Sequence, residues 1–246
     1  MAASTSIMAY KIVFTALGCL MLATLIYTLV TDGSPFRREL FTPWMAATLA
    51  DFYVNVVAIS VWVVYKESSW IHSVFWIISL VCFGSIATCA YIVKKLFEIS
   101  FQGTAQDPLD LLFLSFRNDV RKEKCSFVIF WRIFFSVLGL FLASVVTYTL
   151  VTDGSPFRRE LLTPWMVATL IDFYINIFTI SVWVTHKESS WLGAFFWICL
   201  LICFGGITTC GYIAIQLFRL SCEDLTYEVL LDSHGKNGKD KESPSK

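Results

Sequence analysis

An all-α membrane protein, with six transmembrane helices forming two tandem three-helix repeats that are inverted relative to each other, is the fold class this sequence predicts. Three observations carry that expectation. Apolar residues fill 57% of the 246 positions and charged residues only 15%, where a soluble domain carries about 25% charged residues; the mean hydropathy is +0.67. Six apolar runs approach the roughly 20 residues a helix needs to cross a bilayer. Adding 121 to a residue number lays the first half on the second without a gap, and 50 of the 74 pairs from Tyr27/Tyr148 to Ser100/Ser221 are identical.

The first run, Ile12 to Val30, could pass for a secretory leader. Its counterpart, Ile133 to Val151, lies in mid-chain, and neither ends in a small-residue cleavage site, so both read as helices. The second runs cover 44–65 and 165–185. Each is opened by a Thr-Pro pair, Thr42-Pro43 and Thr163-Pro164, which puts a capping hydroxyl before a proline at the first helical position. The third runs cover 70–93 and 191–218 and start at Trp70 and Trp191, suited to the interfacial belt. Gly84 and Gly205 sit within them, where a missing Cβ lets helices approach closely.

These runs divide the chain into a first repeat at 1–98, a linker at 99–126, a second repeat at 127–221 and a polar tail at 222–246. The linker holds Asp107-Pro108 followed by about ten apolar-rich residues. That is too short to span and fits an interfacial helix. The tail, rich in Gly, Lys, Asp and Ser, has the composition of disorder.

Identity between the repeats is uneven. The first helices agree at 4 of 16 pairs from Lys11/Arg132 to Ile26/Thr147, whereas YTLVTDGSPFRREL recurs unchanged at 27–40 and 148–161. Asp-Gly and Ser-Pro give this loop its turns. Its twin arginines, Arg37 and Arg38, then Arg158 and Arg159, are candidates for contact with lipid phosphate or another anion.

The strongest chemical signal is Asp51 with Asn55, repeated as Asp172 with Asn176. An i, i+4 spacing puts each pair on one helix face, and Thr48 and Thr169 share that side. An intramembrane Asp costs about 2.5–3.5 kcal/mol to insert and is a functional hypothesis by default. Asp51 lies eight residues past Pro43, hence about 12 Å deep. In an inverted pair the two carboxylates would sit within roughly 6 Å of each other along the membrane normal. Such a pair could bind a proton or cation. The competing reading makes each Asp a structural hydrogen-bonding group within the bundle.

Counting Lys and Arg on a six-span inverted layout gives ten on the linker face and five on the other, plus four distant lysines in the tail, which favours a cytosolic linker with both termini outside. The eight cysteines lie mostly inside apolar runs and read as packing residues. No motif implies a metal, a cofactor or nucleic acid, and HExxH, GxSxG and P-loop patterns are all missing, so no enzyme activity is expected.

The doubled TDGSPFRREL loops, the PWMxATLxDFYxN segments at 43–55 and 164–176, and the KESSW turns at 66–70 and 187–191 resemble a family of plant multi-pass membrane proteins known only as a domain of unknown function. The resemblance spans nearly the whole chain. It implies a plant source and no activity. Two functions are carried forward: a non-catalytic scaffold or assembly partner in the endomembrane or plasma membrane, which is preferred, and a small solute or ion transporter or channel. The lipid bilayer is a partner in both. A protein partner belongs to the first, and a homo-oligomer is left open.

Overall fold

A computed structural model describes residues 2–102 and 124–219, and every described element is helical. The helices are α1 (Ala2–Asp32), α2 (Pro43–Lys66), α3 (Trp70–Phe83), α4 (Ser85–Gln102), α5 (Lys124–Asp153), α6 (Pro164–Lys187) and α7 (Trp191–Arg219). One-turn 3-10 helices at Arg38–Leu40 and Arg159–Leu161 lie in the repeated loops. Five helices are long and apolar enough to cross a membrane: α1, α2, α5, α6 and α7. The linker helix expected near 107–116 and the tail beyond Arg219 fall outside the described residues.

α2 and α6 begin as their sequences dictate. The Thr42 and Thr163 hydroxyls accept hydrogen bonds from the Met45 and Met166 amides, 3.2 Å in each case, with proline at the first helical position. The two helices lie side by side and run in the same direction. Their first turns share one apolar cluster with Leu40, Trp44, Met45, Trp165 and Met166. Their last turns share another that includes Val63 and Val184. The Trp44 indole Nε1–H donates to the Gly154 carbonyl at 3.2 Å, tying the start of α2 to the second copy of the loop. Both copies of the loop therefore occupy one end of the bundle, here the loop end.

The third segments do not run straight through. Gly84 (φ +53, ψ −128) separates α3 from α4, and Gly205 (φ +49, ψ −124) interrupts α7. The left-handed region is open to glycine and costly for other residues. At both glycines the chain folds back on itself. The Trp76 and Tyr91 rings meet with centroids 5.1 Å apart, and Trp197 meets Tyr212 at 5.0 Å. In a straight helix residues 15 apart would be separated by about 22 Å. The Thr208 hydroxyl reaches back to the Leu200 carbonyl at 2.9 Å. At the far end Lys95 Nζ lies 2.8 Å from Glu67, at the α2–α3 turn, and the Tyr212 hydroxyl donates to Glu188, at the α6–α7 turn, at 3.0 Å. Each third segment is thus a helical hairpin, with its tip inside the bundle and both ends at the turn end, opposite the loops.

This corrects the six-span inverted layout. With the third segment turned back, each unit crosses the bundle twice, by α1 and α2 or by α5 and α6, and the second unit starts where the first did. The units are related in parallel. α7 meets the length criterion for a span but does not run from end to end. Lengths agree with this reading. Eight residues from Pro43 to Asp51 make about 12 Å and the 14 residues of α3 about 21 Å, together close to the roughly 36 Å of the 24-residue α2.

Packing interlocks the units. α1 lies against α4 of its own unit and α6 of the other, and α5 against α7 and α2. Lys11 Nζ sits 4.0 Å over the Phe97 ring, and Arg132 Nε donates to the Leu217 carbonyl at 2.9 Å, which anchors α1 and α5 to the returning arms near the turn end.

Candidate functional site

The paired Asp and Asn residues converge on the hairpin tips, and each unit serves the hairpin of the other. Asp51 on α2 accepts a hydrogen bond from the Gly206 amide at 2.6 Å. Asp172 on α6 accepts one from the Ser85 amide at 2.7 Å. Gly206 and Ser85 each follow the glycine at a tip, so they are the first residues of a returning helical arm. Such a terminus exposes amides without intrahelical partners and the positive end of the helix dipole. A carboxylate there is a helix cap supplied from another helix.

One turn further, the asparagines repeat the exchange. The Thr209 hydroxyl donates to Asn55 Oδ1 at 2.7 Å, and the Thr88 hydroxyl donates to Asn176 Oδ1 at 2.9 Å. Both asparagines are fully buried. The i, i+4 spacing inferred from sequence gives Asp and Asn one face, and that face meets successive turns of the same arm. Asn55 Nδ2 also donates to the Asp51 carbonyl at 3.0 Å, whereas Asn176 Nδ2 is buried without a hydrogen bond among the described residues.

The tips fit tightly. A Cβ on Gly205 would come within 2.6 Å of Asp51 Oδ2 and 2.5 Å of the Phe173 ring. A Cβ on Gly84 would overlap Asp172 and approach the Phe52 ring at 2.8 Å. The glycine thus serves two needs, the left-handed turn and the approach of the carboxylate.

The other singled-out residues are placed differently. Thr48 and Thr169 turn their hydroxyls to their own helix, donating to the Trp44 and Trp165 carbonyls at 2.9 Å. They sit on the helices that carry the site without bonding to a hairpin. Arg37 folds back on Asp32, bonding its carbonyl at 2.6 Å and its carboxylate. Arg158 does the same with Asp153, at 2.6 Å to the carbonyl and 2.9 Å to the carboxylate. These two are latches within the loops. Arg38 and Arg159 are exposed at the start of the 3-10 turns.

Gly84, Ser85, Gly205, Gly206, Thr88 and Thr209 complete the site and were not among the residues singled out from sequence as ligands. Their signal was available: a glycine at one position of each repeat, followed four residues later by Thr in an otherwise apolar run. Beside the Asn55–Thr209 pair, a cavity of about 80 Å³ lies between Trp62 and Trp183, with an almost wholly apolar wall.

The family model described as "Protein of unknown function (DUF1475)" matches residues 1–237. No curated protein and no solved structure matches the chain.

Proposed function

The chain belongs to the DUF1475 family over residues 1–237, and we propose that it serves as a non-catalytic membrane scaffold, crossing the bilayer four times and assembling with a protein partner. The observation that carries this reading is the use of both half-buried carboxylates and both buried asparagine oxygens inside the bundle, each on the opposite unit's hairpin. Groups engaged in this way hold a shape. The re-entrant tips are backbone irregularities at membrane depth, which are tolerated where protein surrounds them. Capping by Asp51 and Asp172 meets that condition.

The charge pattern supports an orientation. Among the described residues the turn end carries Lys11, Lys66, Lys94, Lys95, Arg132, Lys187 and Arg219 against Glu67, Glu98 and Glu188, while the loop end balances Arg37, Arg38, Arg158 and Arg159 against Asp32, Glu39, Asp153 and Glu160. Positive residues favour the cytosolic side. The turn end, with the start of α1, the end of α4 and the start of α5, then faces the cytosol, and the twin loops face the lumen or the exterior. The membrane is an endomembrane or the plasma membrane, and a plant source is part of the same reading.

Affinity purification of the full chain from its native membrane tests the scaffold. One protein recovered at fixed stoichiometry, and lost when residues 104–119 are deleted, supports it. Recovery of the chain alone counts against it.

A transporter or channel is the second reading. Glycine-interrupted segments at corresponding places in two repeats are the usual pointer to a transport site, and the unbonded Asn176 Nδ2 leaves one polar group available there. Solute or proton flux in proteoliposomes that is lost on Asn176→Ala while the fold survives would favour it over the scaffold.

A further inference from the structure

We propose that the loop end holds two phospholipid headgroups, one on each copy of the repeated loop, with Arg38 or Arg159 on the phosphate and the neighbouring Glu39 or Glu160 on the ammonium of a zwitterionic lipid. Each loop first satisfies itself. Arg37 and Arg158 close on Asp32 and Asp153, and their Nε–H groups donate to the Ser34 and Ser155 carbonyls at 3.4 and 3.3 Å. This leaves one cation and one anion per loop. The side chains of Arg38, Glu39, Arg159 and Glu160 are exposed and make no hydrogen bond or ion pair among the described residues. Just before them Phe36 and Phe157 stand 85% and 93% exposed, more than any other large apolar side chain described at the loop end.

Position names the occupant. α2 and α6 have 24 residues each, about 36 Å, against a hydrocarbon core of about 30 Å. Helices centred in that core carry their loops into the headgroup layer. A phenylalanine there is covered by the acyl boundary, and an arginine meets phosphodiester oxygens, which its planar fork binds bidentately. The remaining Arg–Glu pair has no net charge, which fits a phosphate beside an ammonium better than an anionic lipid. Internal comparison points the same way. Phe36, Arg38 and Glu39 are repeated unchanged as Phe157, Arg159 and Glu160, whereas the first helices agree at 4 of 16 pairs. Exposed side chains that make no hydrogen bond or ion pair among the described residues, yet are the same twice, answer to something outside the chain.

The test uses the delipidated full chain in detergent, with dioleoylphosphatidylcholine added and bound lipid counted by native mass spectrometry. Wild type is expected to retain two lipids per chain. Arg38→Gln with Arg159→Gln is expected to weaken retention about tenfold, the loss of one charge-assisted pair at each loop. The single variant Arg38→Gln should leave one lipid, which keeps the test decisive if the double variant does not fold. Equal retention by wild type and variants overturns the proposal. So does displacement of the lipid by inorganic phosphate, which would make this a free-anion site. Preference for phosphatidylglycerol, unchanged by Glu39→Gln with Glu160→Gln, overturns it as well. The readout needs no protein partner, so it stands or falls separately from the scaffold.

Discussion

Asp51 and Gly206, 155 positions apart in sequence, are joined by a 2.6 Å hydrogen bond from the Gly206 amide to the Asp51 carboxylate. Asp172 and Ser85 repeat it at 2.7 Å. Each unit therefore caps the hairpin of the other. Removing a cap by Asp51→Ala or Asp172→Ala should cost about 1–2 kcal/mol, the range for helix N-caps. Because the two carboxylates serve different hairpins, their costs should add to within about 0.5 kcal/mol in the double variant. Thermal unfolding of all four proteins in one detergent checks this. Strong non-additivity would mean that the two carboxylates act as one site.

Glycine at the tips should be costly to replace. Gly84→Ala and Gly205→Ala combine a left-handed φ with a Cβ driven against Asp172 or Asp51. A loss of about 2–3 kcal/mol is expected, or failure to accumulate folded protein. Gly33→Ala is the control, with φ +74 but nothing within 4 Å of the new Cβ. It should cost only about 1 kcal/mol. Comparable losses at all three would mean that the tips are not packed as described.

The two hairpins are fastened differently at the turn end, and acid should separate them. Glu67 meets Lys95 at 2.8 Å and Lys94 at 3.8 Å, and its side chain is 7% exposed. Burial pushes its pKa up, but hydrogen bonding and the charges of Lys95 and Lys94 outweigh that and hold it below the usual carboxylate range. A depressed pKa contributes stability that is present above the unfolded-state value and lost as pH falls through the folded-state value. In the second unit Glu188 receives hydrogen bonds from two neutral donors, Tyr212 and Gln216, at 3.0 and 3.1 Å. Melting temperatures from pH 7 to pH 3 should fall less steeply in Glu67→Gln than in wild type. Identical pH profiles would contradict the ionic latch.

Much of this structure was legible in the sequence, and the missing part has a definite cause. The spans of α1, α2, α5 and α6, the Thr-Pro starts and the shared face of Asp51 and Asn55 all follow from local rules of hydropathy, capping and helical spacing. The hairpins do not, because hydropathy does not distinguish a 29-residue apolar helix from two arms folded at a glycine. Two residue-level cues oppose the straight reading. From Trp70 to Gln102 a single helix would be about 50 Å long, well beyond the roughly 30 Å core. Lys94 and Lys95 come only ten residues after Gly84, so a straight span would bring charges out too early on one side or bury the start of the run too deeply on the other. Once three crossings per unit were assumed, the inversion and the meeting of carboxylates from opposite faces followed from counting. The structure keeps Asp51 and Asp172 at equal depth but measures both from the loop end and turns each towards the other unit's hairpin.

Single-cysteine labelling with a membrane-impermeant reagent tests the parallel arrangement most directly. In a cysteine-depleted full chain, one cysteine would be placed in turn at Ser34, Ser69, Ser155 and Ser190, two loop positions and two turn positions. The structure predicts that Ser34→Cys and Ser155→Cys label from one side of sealed vesicles, and Ser69→Cys and Ser190→Cys only from the other. Labelling of Ser34→Cys and Ser155→Cys from opposite sides would contradict it, restore three crossings per unit and remove the hairpins that Asp51 and Asp172 cap.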